Sequence, residues 1–242
     1  MIISHFIQSP AGAAEPSLPP KASVRILFVG NSFTYYNGGL ETHVRELANS
    51  ANPPRLLETE RATQGGATLR ILYGKEAVLA RIREGHFDVV VLQEDIPELT
   101  EHAMEPFFQY ARLFNQEIRK SGARMVLFMA WPYERLNWVS LPEIIQAHQA
   151  AARELQVPVA PVGTALATSL ELKPGLAMLG PDKEHETRAG TYLAASVIYA
   201  TLFQENPEGF SYCPEGIARE EITHLQKVAW QTVQAWAAPA KP

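Results

Sequence analysis

Short apolar runs separated by helical stripes constrain this chain more than any other feature. "VRILFVG" (24–30), "FDVVVLQ" (87–93) and "RMVLFMA" (124–130) are rich in β-branched residues and almost continuously apolar. A strand with that pattern has both faces covered, as in a parallel sheet between helical layers. "LLETERAT" (56–63) is more polar and reads as an edge strand. "VPVAPVG" (157–163) reads as a fifth, its prolines suiting an edge position. Between the runs, apolar residues recur at helical spacing. Leu40, Val44, Leu47 and Ala51 make one stripe, and Met104, Phe107, Ala111, Phe114 and Ile118 make a second that ends at Gly122. Leu141, Ile145, His148, Ala152 and Leu155 form a third, with Pro142 in its first turn, where the missing N–H costs nothing. Ile222, Leu225, Ala229, Val233 and Trp236 form the last. Such alternation implies right-handed βαβ units and a three-layer α/β domain. His148, on an apolar stripe, reads as a packed or half-exposed histidine and not as a ligand.

A chain of 242 residues fits one large domain, expected here over residues 24–238. With 46 % apolar and 19 % charged residues, it has the balance of a globular protein and not of a disordered one. The net charge of −5 and the lack of a basic run argue against a nucleic-acid or anionic-membrane partner. No apolar stretch is long enough for a membrane span. The lone Cys213 excludes an internal disulfide. Residues 1–23 read as a flexible Pro-rich leader, with Pro16, Pro19 and Pro20, or as the remnant of an export signal ending near "AGAA". The second reading leans towards a periplasmic or extracellular location. A cytoplasmic one stays open.

In open parallel sheets, ligands sit beyond the carboxyl ends of the strands, where the strand order reverses. Three polar departures fall at such places: Asn31-Ser32 after the first run, Gln64-Gly65-Gly66 after the second, and Gln93-Glu94-Asp95 after the third. Dinucleotide, P-loop, H-E-x-x-H and G-x-S-x-G motifs are all absent, as is a visible metal-chelating cluster. No cofactor or metal is therefore expected. A serine nucleophile needs a base, because its hydroxyl is weakly nucleophilic at neutral pH. Of the seven histidines, His185 in "GPDKEHETRAG" has the most telling context, with Asp182 three positions earlier. On one helical turn those two share a face, so the carboxylate could orient the imidazole towards Ser32. The alternative is that Asp182 caps the following helix. Glu184 and Glu186 are expected to be solvated, and the buried-looking helix after His185 to serve as a rigid mount.

"FVGNSFT" followed much later by "DKEH" resembles the SGNH (GDSL-like) hydrolase superfamily over roughly residues 24–203. That resemblance implies a flavodoxin-like α/β/α sandwich with about five parallel strands in the order 2-1-3-4-5. It also implies metal-independent ester hydrolysis, with Ser32 as nucleophile, His185 as base and Asp182 as orienter. "QGGATL" is similar to the family's second block, which points to Gly66, or else Gly65, as an oxyanion donor beside the Ser32 amide. A plain Gly-Gly turn fits the same residues. Two departures mark a divergent branch. Asn31 stands where Asp is usual, keeping an acceptor beside the site as a candidate substrate contact. Gln93 stands where the third block has Asn, and could supply a side-chain N–H to the oxyanion or be a buried glutamine satisfied by backbone.

Trp131, Tyr133 and Trp138 follow the fourth run and could form an aromatic platform for a sugar ring, or simply a packed loop. With no obvious lid, the favoured substrate is a small-molecule or carbohydrate ester carrying a small acyl group such as acetyl. A broad carboxylesterase and a sugar-binding module with a degraded triad are the competing readings.

Overall fold

The computed structural model describes residues 23–95, 104–134, 136 and 139–237. The expected leader, apart from Ser23, and Trp138 lie outside the described residues. Five strands form one sheet: β1 Val24–Gly30, β2 Leu57–Thr63, β3 Val89–Gln93, β4 Arg124–Phe128 and β5 Val159–Ala160. Their order is β2-β1-β3-β4-β5, and every pairing is parallel. The expected topology is thus the observed one, with the polar β2 at one edge. All five carboxyl ends lie along one rim, and the strand order reverses between β1 and β3.

The described helices are α1 Ser32–Tyr35, α2 Leu40–Asn49, α3 Leu69–Tyr73, α4 Glu76–Glu84, α5 Met104–Lys120, α6 Leu141–Leu155, α7 Val162–Leu172, α8 Arg188–Phe203 and α9 Arg219–Ala237. Helices α2, α7, α8 and α9 pack together on one face of the sheet, and α3, α4, α5 and α6 on the other. Ile26, Leu27, Phe28, Val90, Val91 and Leu92 are buried between these layers. This is why β1 and β3 carry no polar alternation. Every residue of α8 from Ala189 to Phe203 is buried, so that helix is covered on all sides, with Thr191, Ser196 and Thr201 as its buried polar residues.

Four details differ from the sequence reading. The third strand starts at Val89 and not Phe87, because the Asp88 carboxylate accepts a hydrogen bond from the Arg25 amide (2.9 Å) at the sheet entrance. The fifth strand is only Val159–Ala160. Pro161 ends it, and Val162 opens α7, which buries Val162, Gly163, Ala165, Leu166 and Ser169. Helices α3 and α4 were also unexpected. The first is short, and the second buries only Val78, Leu79 and Ile82 of a strongly charged segment. In α6 the buried face is Ile144, Ala147, His148 and Ala151, one position off part of the expected stripe. His148 is packed there and donates from Nδ1 to the Ile144 carbonyl (2.8 Å), and burial pushes its pKa down to about 4.

Helix α6 starts at a capping box in which Ser140 Oγ accepts from the Glu143 amide (3.4 Å) while the Ser140 amide donates to Glu143 Oε2 (2.8 Å). Ser140→Ala should lower the unfolding free energy by roughly 0.5–2 kcal/mol, read from denaturant titration, with secondary-structure content unchanged.

Candidate active site

β1 ends on glycine because nothing larger fits. A Cβ on Gly30 would lie 2.4 Å from Thr34 Oγ1 and 2.5 Å from Gln93 Oε1. The chain turns directly into α1, with Asn31 as its N-cap: Asn31 Oδ1 accepts from the Phe33 amide (3.1 Å). This first turn places Ser32 at the rim of the sheet. The second loop supplies a tight turn in which the Ala67 amide bonds to the Gln64 carbonyl (3.2 Å) and Gly66 sits at φ +63°, a conformation that favours glycine. Among the described residues, no protein acceptor takes a hydrogen bond from the backbone N–H of Ser32 or Gly66.

Ser32 Oγ lies 2.9 Å from His185 Nε2, and His185 Nδ1 lies 2.8 Å from Asp182 Oδ2. A carboxylate only accepts, so Nδ1 carries the proton and Nε2 presents its lone pair to the serine hydroxyl. Asp182 and His185 do not share a helical turn, and Asp182 caps no helix. They sit on a loop closed by an antiparallel bridge between Leu179 and Glu186 and by the Gly180 amide on the His185 carbonyl (2.7 Å). Lys183 is left-handed at φ +56°, which folds the loop back on itself. Asp182 Oδ1 accepts from the amides of Glu184 and His185 (both 3.1 Å), fixing the carboxylate so that Oδ2 faces the imidazole. The bond from His185, followed by that from the Glu184 amide, holds the Asp182 pKa below the usual carboxylate value. Helix α8 begins just beyond, capped by Thr187. The imidazole is held on two sides: Tyr36 stacks on it at 4.5 Å and 19°, and the Phe33 ring meets it edge-on at 5.7 Å.

A cavity of about 470 Å3 opens here, lined by Ser32, Tyr35, Tyr36, Gly66, Asp95 and Tyr133 among others. Asn31 and Gly65 also border it. Asn31 is buried, and its Nδ2 donates to Asp95 Oδ2 (3.0 Å) and to the Ala67 carbonyl (3.4 Å). Three expectations need correction. Gln93 does not reach the cavity. Its Oε1 accepts from the Asn31 amide (2.8 Å) and Thr34 Oγ1 (3.1 Å), which fixes the amide orientation and turns Nε2 onto the Glu94 carbonyl. Trp131 is buried beneath Phe33 (ring centroids 4.8 Å apart) and is no platform for a substrate. Glu186 is not solvated: it is 2 % exposed, accepts from Thr191 Oγ1 (3.3 Å), and burial pushes its pKa up to about 8.

The sequence reading passed over Tyr35 and Tyr36, although they stand three and four places after Ser32 on the same short turn. It also gives Glu94 no role beyond the polar departure after the third run, yet Glu94 Oε1 accepts from the amides of Leu69 (2.9 Å) and Asp95 (2.7 Å) and so ties the second loop to the third. No cluster of three or more potential metal-ligating side chains occurs among the described residues, and no helix among them is long and apolar enough to cross a membrane.

No protein-family model and no curated protein sequence matches the chain. Solved structures do. A DUF4886 family protein from Bacteroides uniformis superposes with a TM-score of 0.74 at 17 % identity, covering 89 % of this chain and 96 % of that one. A proposed SGNH hydrolase from Slackia heliotrinireducens gives a TM-score of 0.62 at 23 % identity, over 74 % of this chain and 99 % of that one. A mutant of an acetyl-xylooligosaccharide esterase from Geobacillus Stearmophilus gives 0.56 at 17 % identity, over 79 % and 97 %. At these identities the likeness establishes a shared fold.

Two measurements check this description. Gln93→Leu should destabilise the protein by roughly 1–3 kcal/mol for each buried donor it orphans, by denaturant titration. Glu186 has a folded pKa above its unfolded value of 4.5, so the unfolded state releases its proton first. Stability from this group is complete below pH 4.5 and declines as pH rises towards about 8. Glu186→Gln should therefore gain stability relative to wild type between pH 5 and pH 8, on the order of 2–4 kcal/mol.

Proposed function

We propose that this chain is a serine ester hydrolase that removes small acyl groups from a carbohydrate or similar alcohol. The observation that carries the reading is the hydrogen-bonded run from Ser32 Oγ through His185 to Asp182, standing at the mouth of a cavity at the strand-order reversal. In this reading His185 Nε2 takes the Ser32 proton as Oγ attacks the ester carbonyl. The imidazolium is stabilised by the Asp182 carboxylate. The oxyanion is held by the backbone N–H groups of Ser32 and Gly66, without a side-chain donor from Gln93. His185 then protonates the departing alcohol. It next takes a proton from water, which attacks the acyl-enzyme and frees Ser32.

The substrate class is argued from the cavity. Tyr36 is 40 % exposed beside His185, so a sugar ring would find aromatic surface there, while Tyr133 borders the same space as a buried residue. That one fold-mate is an acetyl-xylooligosaccharide esterase agrees with this assignment. A broad carboxylesterase would use the same three side chains. Chain-length profiling separates the two: turnover of p-nitrophenyl esters should fall steeply beyond acetate and propionate, with acetate released from acetylated oligosaccharides. Ser32→Ala and His185→Ala should each cost on the order of 10⁴–10⁶-fold in kcat, and the double variant little more, because the two act as a unit. Acetyl-ester turnover that survives Ser32→Ala would remove the proposal.

A further inference from the structure

The loop that carries His185 is tethered at four successive peptide carbonyls, each from a different direction. Lys183 O accepts from the Glu134 amide (3.3 Å), Glu184 O from Trp131 Nε1 (2.9 Å), His185 O from the Gly180 amide (2.7 Å) and Glu186 O from Asn37 Nδ2 (2.8 Å). The two side-chain tethers hold the carbonyls of the residues immediately before and after His185. Each also reaches back to the segment that carries Ser32. Trp131 lies against Phe33, the residue following Ser32. Asn37 stands on the turn that continues from α1, left-handed at φ +49°.

Asn37 is anchored in its own right. Its Nδ2 also bonds Thr191 Oγ1 (2.9 Å), and its carbonyl accepts from His43 Nε2 (3.0 Å), whose Nδ1 in turn accepts from the Tyr212 hydroxyl (2.9 Å). Two side chains, 53 and 149 positions distant from their acceptors, thus lock the base-bearing loop to the nucleophile-bearing turn.

We infer that Trp131 and Asn37 are positioning residues for His185, acting through the peptide carbonyls of Glu184 and Glu186 on either side of it. The inference rests on the reading of His185 as the base. Without the tethers the loop keeps its own bridge, the bonds to Asp182 and the ring contacts of Tyr36 and Phe33, but the carbonyls flanking His185 are released and the imidazole is held less closely against Ser32. A displacement of about 1 Å at a reacting group costs on the order of 10²-fold.

Trp131→Phe keeps an aromatic ring against Phe33 and deletes the N–H. Asn37→Gly keeps the left-handed backbone and deletes the amide. Each variant should lower kcat on p-nitrophenyl acetate roughly 10–100-fold with KM little changed. Their combined loss should be smaller than the product, because both act on one ring. In parallel, the His185 Nδ1–H resonance should broaden or shift in NMR spectra of variants that retain native circular dichroism. Wild-type kcat together with an unchanged His185 resonance, in either folded variant, would overturn the assignment. Should Trp131→Phe fail to fold, Asn37→Gly decides alone. Should wild type itself show no esterase activity, the hydrolase reading fails, and the resonance still reports whether the tethers hold the ring.

Discussion

The site depends on one contact between two connectors 153 positions apart in the chain, the 2.9 Å approach of Ser32 Oγ to His185 Nε2. It can form only because a parallel sheet delivers β1, β2 and β3 to a common rim and leaves a crevice where the strand order reverses. Burial of β1 on both faces fixes the rim's position relative to α8, which runs fully buried through the layer above. Ser32 and His185 therefore sit on short connectors whose far ends are anchored in the core. The chemistry is carried by loops, and its precision comes from the packed elements behind them.

Around that contact, buried polar side chains orient other groups. Gln93 holds the Asn31 amide and Thr34, Asn31 caps the turn that presents Ser32, and Glu94 joins the second loop to the third. Buried polar groups of this kind are costly unless each is satisfied. Their arrangement explains how a chain with Asn31 and Gln93 at these two strand ends builds a coherent rim. The third-loop residue bordering the cavity is Asp95, bonded to Asn31, while the glutamine supports the turn from below.

Much of the fold was legible because burial writes itself into composition. The continuous apolarity of residues 24–30 marked β1 to the residue, and the stripes of α2, α5 and α9 marked helices facing the sheet. Helices α4 and α7 are less visible for different reasons, one because four of its residues outside the three buried ones are charged, the other because it follows directly on the short fifth strand after Pro161. At the site, the sequence spacing of Asp182 and His185 suggested proximity, but the geometry producing it is a folded loop and no helix. A left-handed lysine and two backbone bonds to one carboxylate oxygen leave no periodic signature. Nor could spacing reveal that Trp131 lies beneath the site, since its orientation is set by the distant carbonyl of Glu184. Glu186, a charged residue beside Asp182 and His185, reads as surface in the sequence, whereas the bridge to Leu179 turns it inward.

The central claim is that the Ser32 hydroxyl is an activated nucleophile. Incubation of the folded protein with a fluorophosphonate, followed by mass spectrometry of its peptides, tests it most directly. The account predicts a single stoichiometric adduct on Ser32 that is lost in His185→Ala. An unlabelled Ser32 in folded protein, or equal labelling with and without His185, would contradict it.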